Sequence, residues 1–545
     1  MANLSELLKE GRTGDAWLKY CGFVELSLTE FMEIQERLLK EQLQLLSKSF
    51  LGKKILGETV PKDSEEFRRL VPFTTYEDYL PYLAEKREDI LPSDPKFWIC
   101  TSGKTGAYEQ KWAPYPPAWV QTHMKNFVAA IIFSICNKKG SFSLKENSKF
   151  LYAMAPPPYL TGMVPHNLKD EFSFAYLPPL AEAEKMNFDR QNLEGFRLGL
   201  NTGIDLFFGI SAVLVRIGEK FAKQGIRALG GEGLNLLAWL RLSCGFLKSK
   251  ISKREFLPKD VWNLKGIMCA GTDTSFYKER IEYYWGVKPL EIYGGTEIGI
   301  AATQAWDYEG MMLFPDANFW EFIPEDEHAK SQTDPSYAPR TVLLSELKPG
   351  RRYELVVTNF KGGAFVRYRL GDMIKVLSRS NENLKIDLPQ ILYEDRVEDV
   401  IDLASFTRIT ERTLGNALSL AGIGKQNWLA HKAFADNHPL IELVLELPDS
   451  VEIDRLEEKI HLALREVDSD YRDLGNMVGY RPLKVTAIPI GTLNSLREQT
   501  GTGEFSWAAG LGARINPPAK IMALVAAAAE KNSVGRNWNG NGTGK

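Results

Sequence analysis

A run of small and hydroxyl-bearing residues at positions 101–106, TSGKTG, has the composition of a phosphate-binding loop. Its glycines leave backbone N–H groups accessible, and its hydroxyl groups are short hydrogen-bond donors, a combination that suits polyphosphate oxygens. The ending Gly-Lys-Thr also occurs in the nucleotide-binding P-loop, but that motif would require a glycine at position 98. The residue there is Trp98, which excludes a P-loop. Two interpretations are left, another kind of phosphate-binding loop or an ordinary turn after a strand.

Three later motifs help to decide between these interpretations. They are YGGTE at 293–297, RYRLGD at 367–372 and EDRVEDVI at 394–401. Together with the stretch 101–106 they resemble, in type and in order, the signatures of the acyl-adenylate-forming superfamily. Each match alone is weak, but all of them in the expected order favour the phosphate-binding interpretation.

Longer stretches narrow the resemblance to one family. They include VPFTTYEDYLPYL, LPKDVWNLKGIMCAGTDTSFY, NFWEFIPED and GTGEFSWAAGLGARIN. They resemble the Gretchen Hagen family, the auxin-responsive acyl-acid amido synthetases best known from plants, which join hormone acids to amino acids. The resemblance extends over roughly residues 65–525. It implies a large N-terminal domain with a β-barrel and helix-flanked sheets, followed by a smaller, mobile C-terminal domain.

The resemblance implies a ligase reaction that uses ATP and Mg²⁺. A carboxylate is a poor acyl donor because its leaving group would be oxide, whereas the leaving group of an acyl-AMP is AMP. The acid and ATP would give acyl-AMP and pyrophosphate, and the amine of an amino acid would then attack the acyl carbon. The protein must therefore aim the carboxylate at the α-phosphorus and neutralise charge there.

The resemblance also assigns nucleotide-binding roles. The residues concerned are Thr101, Ser102, Gly103, Lys104, Thr105, Gly106, Tyr293, Gly294, Gly295, Thr296, Asp372 and Arg396. The loop residues would bind phosphate through N–H and hydroxyl groups. Tyr293 would stack on adenine, with the following glycines allowing close approach. Asp372 would accept hydrogen bonds from both ribose hydroxyls, and Arg396 would contact ribose or phosphate.

Three residues are assigned to catalysis by the same resemblance. Glu297 would provide a hard carboxylate ligand for Mg²⁺. Arg408 lies where the superfamily has a lysine that contacts the reacting groups, and Lys520 lies near basic residues of the family's ending. Lys104 departs from the pattern as well, because it replaces a serine or threonine of the superfamily loop.

These departures leave two other functions open. An acyl-CoA ligase of the phenylacetate–CoA ligase type would share the adenylation step and the hinge motif, but would transfer the acyl group to coenzyme A. A non-catalytic nucleotide-binding relic would bind AMP or ATP without releasing pyrophosphate. Structural roles are also open for Glu297, at the start of a helix, and for Tyr293, in the core. We interpret Arg367 and Arg369 as members of ion pairs that support the fold.

Replacing Lys104 with threonine, the superfamily residue, is expected to preserve or raise the rate of adenylation. A P-loop lysine is indispensable because it bridges phosphates, whereas here N–H and hydroxyl groups would hold the pyrophosphate portion. Gly103→Val is the contrasting variant and should impair the reaction, since a β-branched side chain blocks close approach and a φ above zero. Pyrophosphate release at saturating acid measures both. Loss of activity in Lys104→Thr would make this lysine a required phosphate ligand.

The pattern around these motifs predicts an α/β protein with α+β parts. Helical spacing of apolar residues over 27–50 begins with Ser27 as a cap, and another helix is predicted to begin near Thr75. Strand, small-residue loop and helix then alternate, which favours a largely parallel sheet. Strands with turn residues dominate after about residue 310, which predicts an antiparallel or barrel-like part.

The pattern together with the family resemblance implies three segments. Residues 1–395 would form the large adenylate-forming domain, residues 396–530 the small mobile C-terminal domain, and residues 531–545 a disordered tail. A chain of 545 residues is too long for one compact core, which agrees with more than one domain. The tail is rich in asparagine and glycine, a composition that does not support a packed core.

Charge and cysteine content restrict the partners. Basic residues number 67 and acidic residues 70, so the net charge of -3 gives no electrostatic reason to expect nucleic acid or an anionic membrane. The five cysteines lie far apart without a C-x-x-C pair, so neither a disulfide framework nor a zinc site is indicated. We expect a cytoplasmic monomer whose partners are a small carboxylic acid and an amino acid.

Overall fold

The computed structural model divides the described chain into two compact units, the first containing residues 2–101 and 111–396 and the second containing the described residues from 400 onward. The residues that the structure describes are 2–101, 111–225, 233–270, 274–334, 336–396, 400–403, 407–423, 426–435, 438–448, 450–493, 514–517 and 522–527. The predicted tail at 531–545 lies outside these residues. The assignment of a function to each unit stays a prediction.

The first unit begins with helices. They are α1 (Leu4–Lys9), α2 (Thr13–Cys21), α3 (Leu28–Leu46), α4 (Phe50–Leu56), α5 (Ser64–Leu70) and α6 (Tyr76–Leu83). Helix α3 begins where it was predicted, because Ser27 and Glu30 form a reciprocal capping box. At the start of α6 the N–H of Thr75 donates to Asp78 Oδ2 at 2.8 Å, and the helix begins at Tyr76, which confirms the second predicted helix.

Alternating strands and helices follow, as predicted. They are β1 (Phe97–Cys100), β2 (Trp112–Tyr115), α7 (Pro117–Ile135), β3 (Ser148–Ala153), α8 (Leu160–Leu168), β4 (Phe174–Leu177), α9 (Leu180–Ala183), α10 (Phe188–Thr202), β5 (Leu206–Ile210), α11 (Ser211–Gln224), α12 (Leu236–Ile251), β6 (Gly266–Ala270), α13 (Thr274–Trp285) and β7 (Pro289–Gly295). Strands β4, β3, β5, β6 and β7 pair in that order, all parallel. Strands β1 and β2 form a separate antiparallel pair. The α/β prediction is confirmed.

The chain then continues the same sheet with antiparallel strands. The elements are β8 (Gly299–Gln304), β9 (Met311–Leu313), β10 (Asn318–Pro324), α14 (Glu325–Thr333), β11 (Arg352–Asn359), β12 (Tyr368–Ser378) and β13 (Gln390–Arg396). The result is one 11-stranded sheet that runs from β4 to β10. The antiparallel part is therefore confirmed. The barrel is not found among the described strands, because β7 pairs with β8 and joins both halves into an open sheet.

Apolar side chains cover both faces of the parallel strands. Strand β5 is buried at every position, as expected for a parallel strand between helices. Residues 127–136, FVAAIIFSIC, form an apolar run that belongs mostly to α7, a core helix in which most residues are buried. Within the described part of the chain, no helix has the length and apolar character needed to cross a bilayer.

The second unit has its own mixed architecture. Its elements are β14 (Val400–Leu403), β15 (Thr407–Thr410), α15 (Glu411–Leu420), β16 (Trp428–Ala435), β17 (His438–Glu446), α16 (Ile453–Val467), α17 (Ser469–Val478) and β18 (Leu483–Ile488). Strand β17 pairs antiparallel with β16 and parallel with β18. This arrangement is the predicted α+β unit.

Candidate active site

The tight turn between β7 and β8 carries the motif YGGTE. Gly295 and Gly299 face each other across the two strands, so Glu297 lies at the tip of the hairpin and not at the start of a helix. A Cβ at position 294 would lie 2.4 Å from the carbonyl oxygen of Gly299, so Gly294 is required by the hairpin itself. A Cβ at position 295 would meet its nearest neighbour only at 3.6 Å. Crowding by neighbouring residues therefore does not require a glycine at 295, and the predicted close approach of a ligand is the stronger reason for it.

Side chains from other elements hold this turn. The consecutive carbonyl groups of residues 296–298 each accept a hydrogen bond. The donors are, in that order, Tyr115 Oη at 2.9 Å, Asn359 Nδ2 at 2.9 Å and Asn318 Nδ2 at 2.9 Å. The two asparagines also bond to each other at 2.8 Å across β10 and β11. None of these three donors was predicted from the sequence, although asparagine is depleted in strands, so the two asparagines at strand ends were a usable signal.

His123 supports the hairpin from α7. Its Nδ1 accepts a hydrogen bond from the backbone N–H of Ile300 at 3.1 Å, at the start of β8. Complete burial lowers the pKa of His123 to about 3, so the ring is neutral at physiological pH. Its Nε2 is buried and has no hydrogen-bond partner among the described residues. The neutral ring is thus an acceptor that positions the hairpin.

Stability is expected to fall as pH falls below about 6.5, in part because His123 cannot accept a proton while folded. The folded-state pKa of about 3 lies below the ordinary histidine pKa of 6.5, so the unfolded chain binds the extra proton between these values. The cost is on the order of 1 kcal/mol per pH unit in that window. The measurement is the urea midpoint of the wild type and of His123→Asn, which keeps an acceptor but cannot titrate.

The difference between the wild type and His123→Asn in their loss of stability on acidification gives the contribution of His123. Other acid-sensitive groups, including the neighbouring Asp316, are present in both. Burial alone would raise the pKa of Asp316, but Lys125 and Lys361 hold it below its usual value. His123→Asn should therefore lose less stability than the wild type on acidification. Parallel losses would show that His123 is not the group responsible.

Two motifs that are distant in the sequence meet at this hairpin. Tyr293 Oη donates a hydrogen bond to Asp372 Oδ2 at 2.5 Å. Tyr368 Oη donates to Glu297 Oε1 at 3.4 Å. The ring of Tyr293 packs against Tyr393, with centroids 5.5 Å apart. The residues predicted to contact adenine and ribose are therefore neighbours, joined by a contact that the sequence did not reveal.

Arg396 is brought to the same place by strand register. Its backbone lies directly opposite Asp372 in the β12–β13 pair. Its side chain is not among the described ones, so its contact with a nucleotide stays a prediction. The register alone places the hinge motif beside the ribose-binding candidate.

The base of the predicted phosphate loop lies beside the hairpin. The N–H of Thr101 donates to the carbonyl of Lys111 at 3.0 Å, and the N–H of Lys111 donates to Thr101 Oγ1 at 3.2 Å. Thr296 Oγ1 donates to the carbonyl of Cys100 at 3.3 Å. The loop residues Ser102, Gly103, Lys104, Thr105 and Gly106 lie outside the described residues. Their roles stay predictions, but the two ends of the loop are fixed next to the turn.

A buried pair of opposite charges lies between the loop base and the hairpin. Lys111 Nζ is 3.9 Å from Glu297 Oε1, and the two side chains are 9% and 7% exposed. Burial first, and the charge of Glu297 second, raise the pKa of Tyr115 well above its ordinary value. Tyr115 therefore stays protonated and able to donate. Lys111 was not predicted as a site residue and provides the counter-charge of Glu297.

The side chains around Glu297 can be compared with the ligands that Mg²⁺ requires. The described residues contain no group of three or more His, Cys, Asp and Glu side chains that could hold a metal ion. Magnesium is usually bound by one or two carboxylates, waters and substrate phosphates. A single carboxylate beside a phosphate-binding loop fits that habit, so Glu297 could hold Mg²⁺ together with a nucleotide.

The remaining predicted residues lie in the second unit or outside the described chain. Arg408 lies on β15 opposite Asp402 of β14, with its Nε 3.6 Å from Asp402 Oδ2. Its catalytic role stays a prediction. Lys520 lies outside the described residues.

The two arginines of the motif RYRLGD support the fold, as interpreted from the sequence. Arg367 pairs with Glu321 at 2.8 Å, and both side chains are almost completely buried. Arg369 pairs with Glu354 at 2.6 Å. The same short motif therefore contains structural residues and, in Asp372, a candidate for ligand binding.

The fold is that of the acyl-adenylate-forming enzymes. An acyl acid amido synthetase, AtGH3.15 in complex with 2,4-DB, superposes with a TM-score of 0.50 at 16% identity, over 93% of this chain and 95% of that chain. A 2-hydroxyisobutyryl-CoA ligase in complex with 2-HIB-AMP and CoA superposes with a TM-score of 0.51 at 13% identity, over 86% of this chain and 91% of that chain. At such identities the likeness concerns the fold alone.

Sequence comparison finds family models and relatives that match parts of this chain. The model of the GH3 family N-terminal domain matches residues 21–157, and that of the GH3 family central domain matches residues 311–390. Indole-3-acetic acid-amido synthetase GH3.17 of Arabidopsis thaliana is 22% identical over 563 residues, 85% of this chain and 88% of the relative. Jasmonoyl--L-amino acid synthetase JAR4 of Nicotiana attenuata is 34% identical over 117 residues, 20% of this chain and 19% of the relative. Two models of the GH3 family therefore match separate parts of this chain, and that family is the Gretchen Hagen family that its motifs resemble.

Proposed function

We propose that this protein is an ATP-dependent acyl-acid amido synthetase, a ligase that adenylates a carboxylic acid and transfers the acyl group to the amine of an amino acid. The matches to the GH3 family models support this function, since the relatives named above are an indole-3-acetic acid-amido synthetase and a jasmonoyl–L-amino acid synthetase. The observation that carries the proposal is the convergence of three motifs on one hairpin. Thr296 and Glu297 of the turn contact the base of the loop, and Tyr293 donates a hydrogen bond to Asp372.

The residues of the hairpin would divide the work of adenylation. Asp372, oriented by Tyr293, would accept hydrogen bonds from the ribose. Glu297 would hold Mg²⁺, which when bound supplies positive charge to the phosphate oxygens. Lys111, 3.9 Å away, would balance the charge of that carboxylate until the nucleotide arrives. The buried anchors of the turn keep Glu297 in place, so little reorganisation is needed during the reaction.

A pyrophosphate exchange assay tests this function. The purified protein should exchange pyrophosphate into ATP in the presence of Mg²⁺ and a suitable acid from a broad panel of carboxylic acids. The active acid is then incubated with amino acids or with coenzyme A. An amide is the expected product. A thioester without amide would establish an acyl-CoA ligase, and nucleotide binding without exchange would establish a relic.

Asp372→Ala is expected to raise the apparent KM for ATP roughly ten- to hundredfold, with a smaller change for the acid. A charge-assisted hydrogen bond contributes on the order of 1.5–3 kcal/mol, and ribose contacts concern the nucleotide alone. Steady-state kinetics with each substrate varied in turn measures the two constants. A change confined to the KM for the acid would contradict the assignment of Asp372 to the ribose.

Tyr293→Phe is the matched control for this experiment. It keeps the ring beside Tyr393 but removes the hydroxyl that donates to Asp372 at 2.5 Å. The KM for ATP should rise by less than in Asp372→Ala, since the carboxylate itself remains. An equal rise in both variants would mean that the orientation of the carboxylate, and not its presence, limits nucleotide binding.

A further inference from the structure

Helix α12 turns large apolar side chains toward solvent. Each of the following residues is more than half exposed: Leu236, Leu237, Trp239, Leu240, Phe246, Leu247 and Ile251. A helix on the surface of a globular protein normally buries its apolar stripe. Helix α12 instead buries Ala238, Leu242, Gly245 and Ser249. An exposed apolar surface of this extent on a folded protein indicates an interaction site.

The small buried residues seat the helix firmly in this orientation. A Cβ on Gly245 would lie 2.5 Å from the carbonyl oxygen of Asp260, so the helix backbone packs directly on the first unit. At about 100° per residue, Leu236, Leu240, Leu247 and Ile251 fall within an arc of about 60°. The apolar side chains therefore form one continuous outward face that the fold holds in place.

Positive charge borders this face. Residues 233–253 contain no Asp or Glu but contain Arg241, Lys248, Lys250 and Lys253. On the helical projection, Lys248 and Lys250 lie on opposite sides of the apolar arc. The ammonium group of Lys250 lies 5.2 Å from the ring centroid of Phe246. The net charge of the whole chain, -3, conceals this local concentration.

We infer that α12 is an interfacial helix that docks the protein on an anionic lipid surface. An outward face of leucine and isoleucine, aromatic side chains at its border and flanking lysines are the features of helices that lie in the plane of a membrane interface. Anionic headgroups attract such lysines. This interaction goes beyond the proposed function, and it differs from the expectation of no membrane partner, which was based on charge averaged over the chain.

A second copy of the chain fits this surface less well. A symmetric pair of α12 helices would bring the same patch of both copies together. In a parallel pair, Lys248 and Lys250 of one copy would lie near those of the other, and in an antiparallel pair they would lie near the apolar N-terminal half of the other helix. Neither arrangement provides an acidic residue of α12 to pair with them. Anionic lipid supplies the missing opposite charge.

Sedimentation of the full-length protein with vesicles tests this inference. We expect the protein to pellet with vesicles of phosphatidylcholine and phosphatidylserine, and to pellet at least about tenfold less with phosphatidylcholine alone. The variant Leu240→Glu/Leu247→Glu should lose binding at least about tenfold because it places carboxylates on the apolar face. The variant Lys248→Ala/Lys250→Ala should weaken binding to the anionic vesicles by about fivefold per lysine.

A matched control uses leucines of similar exposure elsewhere. Leu18 is 60% and Leu462 55% exposed, against 53% for Leu240 and 61% for Leu247. The variant Leu18→Glu/Leu462→Glu has the same change of charge and should bind vesicles like the wild type. Pyrophosphate exchange by all these variants should equal that of the wild type, so a failure of the proposed function would be recognised separately.

Three outcomes would overturn the inference. The first is a wild type that does not pellet with anionic vesicles. The second is a Leu240→Glu/Leu247→Glu variant that binds like its control. The third is a dimer in sedimentation velocity that this variant dissolves, which would assign the apolar face to a second copy of the chain.

Discussion

Glu297→Gln is expected to reduce adenylation by at least about a hundredfold while leaving the fold intact. Glutamine is nearly isosteric with glutamate, but a neutral amide is a weak Mg²⁺ ligand. The substitution also removes the counter-charge of Lys111, which lies 3.9 Å away in a buried setting. The backbone of the turn should be unaffected, because Asn359 bonds to the carbonyl of residue 297 and not to its side chain. Pyrophosphate release at saturating acid, measured over a range of Mg²⁺ concentrations, gives the effect.

Glu291→Gln is the matched control on strand β7, which leads into the turn that carries Glu297. Glu291 is a buried carboxyl group, and burial raises its pKa. We expect near-normal activity from this variant. Similar losses in both variants would indicate a general effect of removing a buried carboxyl group from the β7–β8 hairpin. Unchanged activity in Glu297→Gln would show that the metal is held elsewhere.

A second substitution separates the two consequences of losing Glu297. If the unpaired Lys111 causes the loss, then Lys111→Met in the Glu297→Gln background should restore much of the activity. If the loss arises from weakened Mg²⁺ binding, the double variant should stay inactive and should respond only to raised Mg²⁺. We expect the latter outcome, because the predicted role of Glu297 is that of a metal ligand.

Features set by local sequence were the ones that could be predicted. The capping box of Ser27 and Glu30 fixes the start of α3 from residues three positions apart. The alternation of strands and helices defines the α/β class because each element has its own periodicity. The candidate site residues were found because short motifs carry them. Helical periodicity alone could not show which side of α12 is buried, since that depends on the elements packed against it.

Features that depend on distant contacts could not be predicted. Tyr115 donates to a carbonyl 181 positions away, and Asn359 to one 62 positions away. No local pattern links such residues. The open form of the large sheet also depends on distant contacts, because strand β13 pairs with β9 through Ile391 and Met311, which are far apart in the sequence. Barrel closure and sheet extension require the same local strands and differ only in which edges meet.

Arg367→Met is expected to lower the free energy of unfolding by about 3–5 kcal/mol, which is the usual effect of breaking a buried ion pair. The guanidinium bonds to Glu321, whose side chain is fully buried, at 2.8 and 3.1 Å. It also donates to the carbonyls of Arg68 and Val71, at 2.7 and 2.5 Å, near the end of α5. Methionine fills similar volume but leaves a buried carboxylate and both carbonyls without these donors. Urea unfolding measures the loss.

Two further variants show whether the buried charge is the cause. Arg369→Met removes the neighbouring motif arginine, but its partner Glu354 still contacts His328 at 2.6 Å, so a smaller loss is expected. Arg367→Met/Glu321→Gln removes the unpaired charge and should recover part of the stability, although the carbonyls at α5 remain without their donor. If the double variant were as unstable as Arg367→Met, the carbonyl bonds and not the ion pair would account for the effect. In either case Arg367 would act through the fold, since it anchors α5 to the strand that presents Asp372.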